Sequence, residues 1–188
     1  MDNKELILQK AIELFSQKGY NGTGIQEIAD ASGVGKPTLY YYYKSKEGLL
    51  NGIFEVYFDD FLKQLSNAAF YNRDITNTLT ILTKTLLFYA SNNKLFYKMM
   101  LSMSFEAEET AAYKAITPYL EKLIQILENI FISAVEEHGN MRGRSIHLAL
   151  SFFGMINTYN TLILRSKISI DDDLIYKIVH QFMHGIFS

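Results

Sequence analysis

The sequence predicts an all-helical chain of about nine helices, a short three-helix head at the amino end followed by a helical bundle. Three observations predict it. Only two prolines and 11 glycines punctuate 188 residues. Between them the apolar residues recur on the 3.6-residue period far more often than on the 2-residue period of a strand. Hydrophobic residues make up 48% and charged residues 20%, which supplies a core and excludes a disordered, highly charged tail.

Each element has its own signal. Ile7, Ala11, Leu14 and Phe15 form one face of a first helix that stops at Gly19. A second helix spans about Ile25 to Ala31 and ends before Ser32-Gly33, where glycine suits a tight left-handed turn. The third opens at Lys36-Pro37, because proline at a first helical turn loses no hydrogen bond. From Lys46 onward Leu49, Leu50, Ile53, Phe54, Tyr57, Phe58, Phe61 and Leu65 mark one long helix. After Asn72-Arg73-Asp74, the seam Ile75, Leu79, Leu82, Leu86, Tyr89 marks another, closed by Asn92-Asn93. A Met- and Phe-rich segment runs from Lys94 to Phe105. Thr117-Pro118 fits either a capped helix start or a kink in a helix begun near Glu108. The stripe from Leu120 to Ala134 predicts a helix ended by Gly139-Asn140, and two more run from about Arg144 to Ser166 and Asp172 to Phe187. Asp171 to Asp173 complement the dipole of the last.

Composition excludes several chemistries. The absence of cysteine removes disulfides, thiolate metal sites, iron–sulfur clusters and cysteine nucleophiles. Met1 to Glu5 lacks the charged-then-apolar order of a signal peptide, and no stretch approaches the roughly 20 apolar residues of a membrane span, so a soluble, cytoplasmic protein is expected. The formal charge of −2 means that any nucleic-acid binding must rest on a local patch. No glycine-rich nucleophile elbow or phosphate-cradling loop occurs, so neither an enzyme nor a cofactor is expected.

Gly19 to Leu50 is the informative stretch. Two short helices joined by a glycine turn and preceded by a stabilising helix describe a helix-turn-helix. Ala29 is small where the helices cross, Gly33 lies in the turn, and Val34 and Leu39 plug the second helix onto the first. Lys36, Lys44 and Lys46 fall within eleven residues that hold no acid. Such a cluster is usually only a solvated surface, but with helix-turn-helix spacing it forms a patch for phosphates. Lys46, Tyr40, Tyr42 and Thr23 are expected at phosphates, and Lys36, Pro37, Thr38 and Tyr41 at base edges, with Gln26 in reach of either. The tyrosine run is open to a second reading as aromatic core, above all at Tyr43.

Gly19-Tyr20, Thr23, Ile28-Ala29, Gly33-Val34, Thr38-Leu39-Tyr40, Ser45-Lys46-Glu47 and Leu49 together resemble the DNA-binding motif of tetracycline-repressor-type (TetR-like) transcriptional regulators. The resemblance covers about the first quarter of the chain. It implies a homodimer, a DNA-binding domain over residues 1–46, and a ligand-binding and dimerisation domain over residues 47–188. It also implies a palindromic double-stranded operator and a small-molecule effector, hence a ligand-responsive repressor. Two departures stand out. Gly24 occupies the place of a hydroxyl cap, leaving the cap to Thr23 or to bare backbone. Tyr42-Tyr43 replaces a frequent His-Phe pair, so a buried Tyr43 needs a partner for its hydroxyl.

Farther on, Tyr89, Phe96, Met99, Met100, Met103, Phe105, Tyr113, Phe152, Phe153 and Tyr159 suit an adaptable apolar pocket for an apolar or aromatic effector, although a Met and aromatic stripe also reads as plain core. The broad stripe of the last helix, with Ile175, Ile178, Val179, Phe182, Met183 and Ile186, is too wide for one neighbour and is expected to meet a second subunit, with Gly154 allowing close helix approach. His180 and His184 have metal-ligand spacing but lack a glutamate base and a third ligand, so no metal site is expected. The alternative to a DNA-binding regulator is a helical small-molecule-binding or metal-dependent protein whose first fifty or so residues pack as ordinary helices.

Overall fold

The computed structural model describes residues 2–185. Among them are nine α-helices and no strand: α1 (Asn3–Lys18), α2 (Ile25–Ala31), α3 (Lys36–Tyr43), α4 (Lys46–Ala68), α5 (Ile75–Asn92), α6 (Lys94–Ser104), α7 (Ala111–Ser133), α8 (Ser145–Leu164) and α9 (Asp172–His184). A 3-10 turn lies at Gly139–Met141. No helix of the described residues is long and apolar enough to cross a membrane. The chain forms two compact units, one through Asp60 with Lys94–Leu120, the other over Phe61–Asn93 and from Glu121 onward.

In the first unit, Asp2 caps α1 by accepting from the Glu5 amide at 2.8 Å, and Gly19 closes it at φ +79. Ile7, Ala11, Ile12 and Phe15 are buried. α6 packs on α1, and its Phe96, Met99, Met100 and Met103 are fully or almost fully buried. Phe58 stacks on Tyr119 at 4.6 Å between ring centres and meets Phe96 edge-on at 5.0 Å, while Tyr57 stacks on Phe96 at 4.9 Å. Aromatic pairs in these geometries add stability beyond their buried area.

Pro118 lies inside α7. The choice left open by local rules is thus settled as a proline within a helix that starts at Ala111, where the missing N–H removes one helical bond. α7 also ends at Ser133, earlier than Gly139-Asn140. The Val135 amide already bonds to Ile132, three residues back, so the ladder tightens out of the α form there.

In the second unit, α5 packs against α8 and α9. Asp74 and Asp171 cap α5 and α9 through the amides of Asn77 and Leu174, at 2.9 and 2.7 Å. Phe61 stacks on Tyr89 at 4.2 Å. The expected second-subunit role of the α9 stripe is corrected here. Ile175, Ile178 and Val179 are buried within the chain itself, on a helix that α5 covers. Phe182 is half-buried against the chain's own Phe131 and Phe152. Ile186 lies outside the described residues. Gly154 is exposed, and a Cβ built on it meets nothing within 4 Å, so among the described residues no helix uses the close approach it permits. Met183 is 38% exposed. His180 and His184 face outward with ring centres 4.6 Å apart.

The polar demand of Tyr43 is met. Its hydroxyl donates to the Lys4 carbonyl at 2.8 Å, its ring is buried, and Gly52 of α4 lies so close that a Cβ there falls 2.9 Å from Tyr43 Cε1. Burial, with the nearby Asp2 charge, pushes the phenol up to about 12.

Tyr43→Phe is expected to lower stability by about 1 kcal/mol at neutral pH. Because the folded protein holds the Tyr43 proton more tightly than the unfolded chain, stability falls as pH rises from about 10 towards 12, and this slope is shallower in Tyr43→Phe. Chemical denaturation across that range measures both. Ile178→Ala, at a site with 0% exposure, is expected to cost about 2–5 kcal/mol, whereas Leu150→Ala, at 51% exposure, leaves the unfolding midpoint of the chain nearly unchanged.

Candidate nucleic-acid interface

The turn between α2 and α3 follows from local chemistry. Gly33 takes φ +64, a conformation that costs a residue with a Cβ, and the Val34 amide returns to the Ala29 carbonyl at 3.1 Å. Ser32 closes α2 by donating its hydroxyl to the Ile28 carbonyl at 2.7 Å. Ile28 and Ala29 are buried at the crossing. Gly24 starts α2 with no side-chain cap, so bare backbone serves there.

Thr23 is corrected. It is 2% exposed, and its hydroxyl donates to the Gly19 carbonyl at 2.9 Å, so it stabilises the loop rather than facing a phosphate. Gln26 is exposed but holds Asp30 at 2.6 Å, one turn along α2.

α3 turns Leu39 and Tyr43 inward, four residues apart. The face diametrically opposite on a 3.6-residue period carries Pro37 and Tyr41, also four apart, and Tyr41 is 76% exposed. Lys36 and Tyr40 flank that face on one side, both exposed, and Thr38 and Tyr42 on the other, both half-buried. Tyr41 meets the Tyr42 ring edge-on at 5.2 Å. Tyr42 also borders a groove of about 190 Å³ with Leu8, Tyr43 and Val56.

Charge is concentrated here. Lys18 pairs with Glu27, joining α1 to α2 and holding the Glu27 carboxyl below its usual range. Lys36 and Lys44 are exposed, and neither takes part in an ion pair among the described residues. Lys44 adopts φ +65 between α3 and α4, a strained position for a residue with a Cβ. Ser45 then caps α4, accepting from the Gly48 amide at 2.9 Å.

Lys46 differs from its neighbours. Its ammonium sits over the Tyr20 ring at 4.1 Å and is half-buried. Burial lowers its pKa, and the Glu106 carboxylate partly offsets this. Glu106 also accepts from the Asn21 side chain at 3.3 Å. Sequence reasoning missed this contact, which spans 85 positions, because no local pattern pairs a loop asparagine with an acid so distant.

The proposed pocket residues are divided between the units. Phe96, Met99, Met100, Met103 and Tyr113 lie in the first, the four of α6 buried and Tyr113 half-buried; Tyr89, Phe152, Phe153 and Tyr159 lie in the second, Tyr89 and Phe152 buried. Phe105 stands apart at 86% exposed, just past the end of α6. A groove of about 690 Å³ in the second unit, bordered by Phe88, Ile163, Lys167, Ile168 and Ile170, includes none of the predicted set.

Comparison with known proteins bears on this face. Residues 7–53 match the family described as "Bacterial regulatory proteins, tetR family". The HTH-type transcriptional regulator YuxN of Bacillus subtilis (strain 168) is 31% identical over 137 residues, 73% of this chain and 43% of that relative. The matches span less than half the length of such curated relatives. Among solved structures, a Clostridium perfringens protein named as a fatty acid metabolism regulator superposes with a TM-score of 0.83 at 26% identity, covering 97% of this chain and 99% of the other. FadR of Bacillus subtilis, solved in complex with stearoyl-CoA, superposes with a TM-score of 0.78 at 18% identity over 97% and 98% of the two chains, a likeness of fold.

Proposed function

We propose that this chain, which belongs through its head to the tetR family of bacterial regulatory proteins, binds a palindromic duplex operator as a homodimer and acts as a ligand-responsive repressor. The observation that carries the reading is the outward face of α3, lysine- and tyrosine-bearing and held by a glycine turn of helix-turn-helix form. We assign DNA binding to residues 1–46 and effector binding with dimerisation to residues 47–188. Lys46, Tyr40 and Tyr42, with Gln26, lie at phosphates, and Lys36, Pro37, Thr38 and Tyr41 enter the major groove. Lys46 leaves the Tyr20 ring to do so, exchanging a cation–π contact for a charge-assisted hydrogen bond. Exposed Gly154 and Met183 remain on the surface available to a second copy.

The effector we assign is an apolar small molecule, and an acyl chain is the class suggested by the neighbour solved with stearoyl-CoA. α6 supports this reading. Its methionines are buried and deformable, it packs on α1, and Glu106 beyond its end reaches Asn21 and the field of Lys46. A ligand that favours a shifted α6 thereby biases the head, and it can do so only to the extent of its differential affinity for the two states.

Selection of bound sequences from random duplex DNA is expected to return a palindrome with half-sites one helical turn or a multiple apart. Lys46→Ala with Tyr40→Ala is expected to abolish operator binding while the circular dichroism spectrum is retained. Lys44→Ala is expected to flatten the salt dependence by about one unit of log–log slope. A purified protein that stays monomeric and indifferent to every duplex at low ionic strength would overturn the reading.

A further inference from the structure

The outward face of α3 is short of the side chains that read base edges by paired hydrogen bonds. Between Gly33 and Lys46 there is no Arg, Asn, Gln, Asp or Glu. Those residues, with lysine, make the hydrogen bonds that distinguish guanine, adenine and cytosine in the major groove, and of them only lysine remains. Gln26, the nearest amide, is on α2 and bonded to Asp30 at 2.6 Å. The centre of the face, opposite the Leu39 and Tyr43 anchors, is occupied by Pro37 and Tyr41. Pro37 has neither a side-chain polar atom nor an amide N–H. Tyr41 offers an aromatic ring that is 76% exposed and braced edge-on by Tyr42 at 5.2 Å. Thr38 adds a methyl group beside them.

One feature of the major groove matches an apolar ridge of this kind, the 5-methyl group of thymine. Resting on the assignment of DNA binding to this head, we infer that Pro37 and Tyr41 are specificity-determining residues that select thymine by apolar contact with its methyl, with Lys36 at the helix start as the one long donor available to a guanine. Hydrogen bonding by the Tyr41 hydroxyl is not required. The half-site is therefore defined by the positions of methyl groups more than by a donor and acceptor pattern.

The experiment uses the full chain and the duplex returned by selection from random DNA. Thymines at the centre of each half-site are replaced one at a time by deoxyuridine, which keeps base pairing and removes only the methyl. Affinity is expected to fall roughly three- to fivefold for each contacted methyl. Tyr41→Phe is expected to keep both the affinity and the uracil penalty. Tyr41→Ala is expected to bind more weakly and to lose the penalty at one position, and Pro37→Ala at a neighbouring one. Tyr41 is exposed, so unchanged melting temperatures check that both Tyr41 variants fold. Equal binding of thymine and uracil duplexes, or loss of binding in Tyr41→Phe, overturns methyl recognition and leaves the DNA-binding assignment standing. Failure to enrich any duplex overturns that assignment and this inference together.

Discussion

The inward anchoring of α3 by Leu39 and Tyr43 is the constraint on which the rest of the head depends. A helix of eight residues has little stability of its own, so its orientation is fixed by what it buries. Two anchors four positions apart define a single rotational setting. That setting places Pro37 and Tyr41 at the opposite pole and leaves Lys36 and Lys44 in solvent. The bond from Tyr43 to the carbonyl of Lys4 ties the same helix to the start of α1. Burying a phenol without such a partner would cost more than the contact returns, so the hydroxyl that distinguishes this chain from a phenylalanine variant is structural.

The head is also connected to a later part of the chain. α6 and the opening turns of α7 belong to the same compact unit as α1 to α3, although some fifty positions separate them in sequence. α6 packs on α1 with its methionines buried, and Glu106 just beyond α6 accepts from Asn21 and adds its charge near Lys46, so a segment distant in sequence bears on the head. Lys46 is the most conditional member of that face. Its charge is held over an aromatic ring, whereas Lys36 and Lys44 are solvated.

Much of this was legible in the sequence because it is local. The glycine turn, the proline at the start of α3, the acidic start of α9 and the inward setting of Leu39 all follow from residues within a turn or two of each other. The role of Thr23 was not legible, because its hydroxyl bonds back to Gly19 across a non-helical loop that no helix periodicity describes. The breadth of the stripe on α9 is local and follows from its period. What covers Ile175, Ile178 and Val179 was not legible, because the pairing of α9 with α5 joins segments about a hundred positions apart and periodicity does not name a partner. Pro118 stayed ambiguous because the same residue suits a first turn and a tolerated interruption. The neighbours of Lys46 had no local signature.

The closeness of Gly52 to the Tyr43 ring ties the size of a side chain on α4 to the seating of α3. A methyl at position 52 and the present placement of the ring at 43 compete for one small volume, so the size of one side chain limits the size of the other. Any side chain larger than hydrogen at position 52 would have to displace the aromatic ring, and doing so disturbs the docking of α3. A position on α4 with no exposed side chain of its own thereby helps to set how the short helix is held.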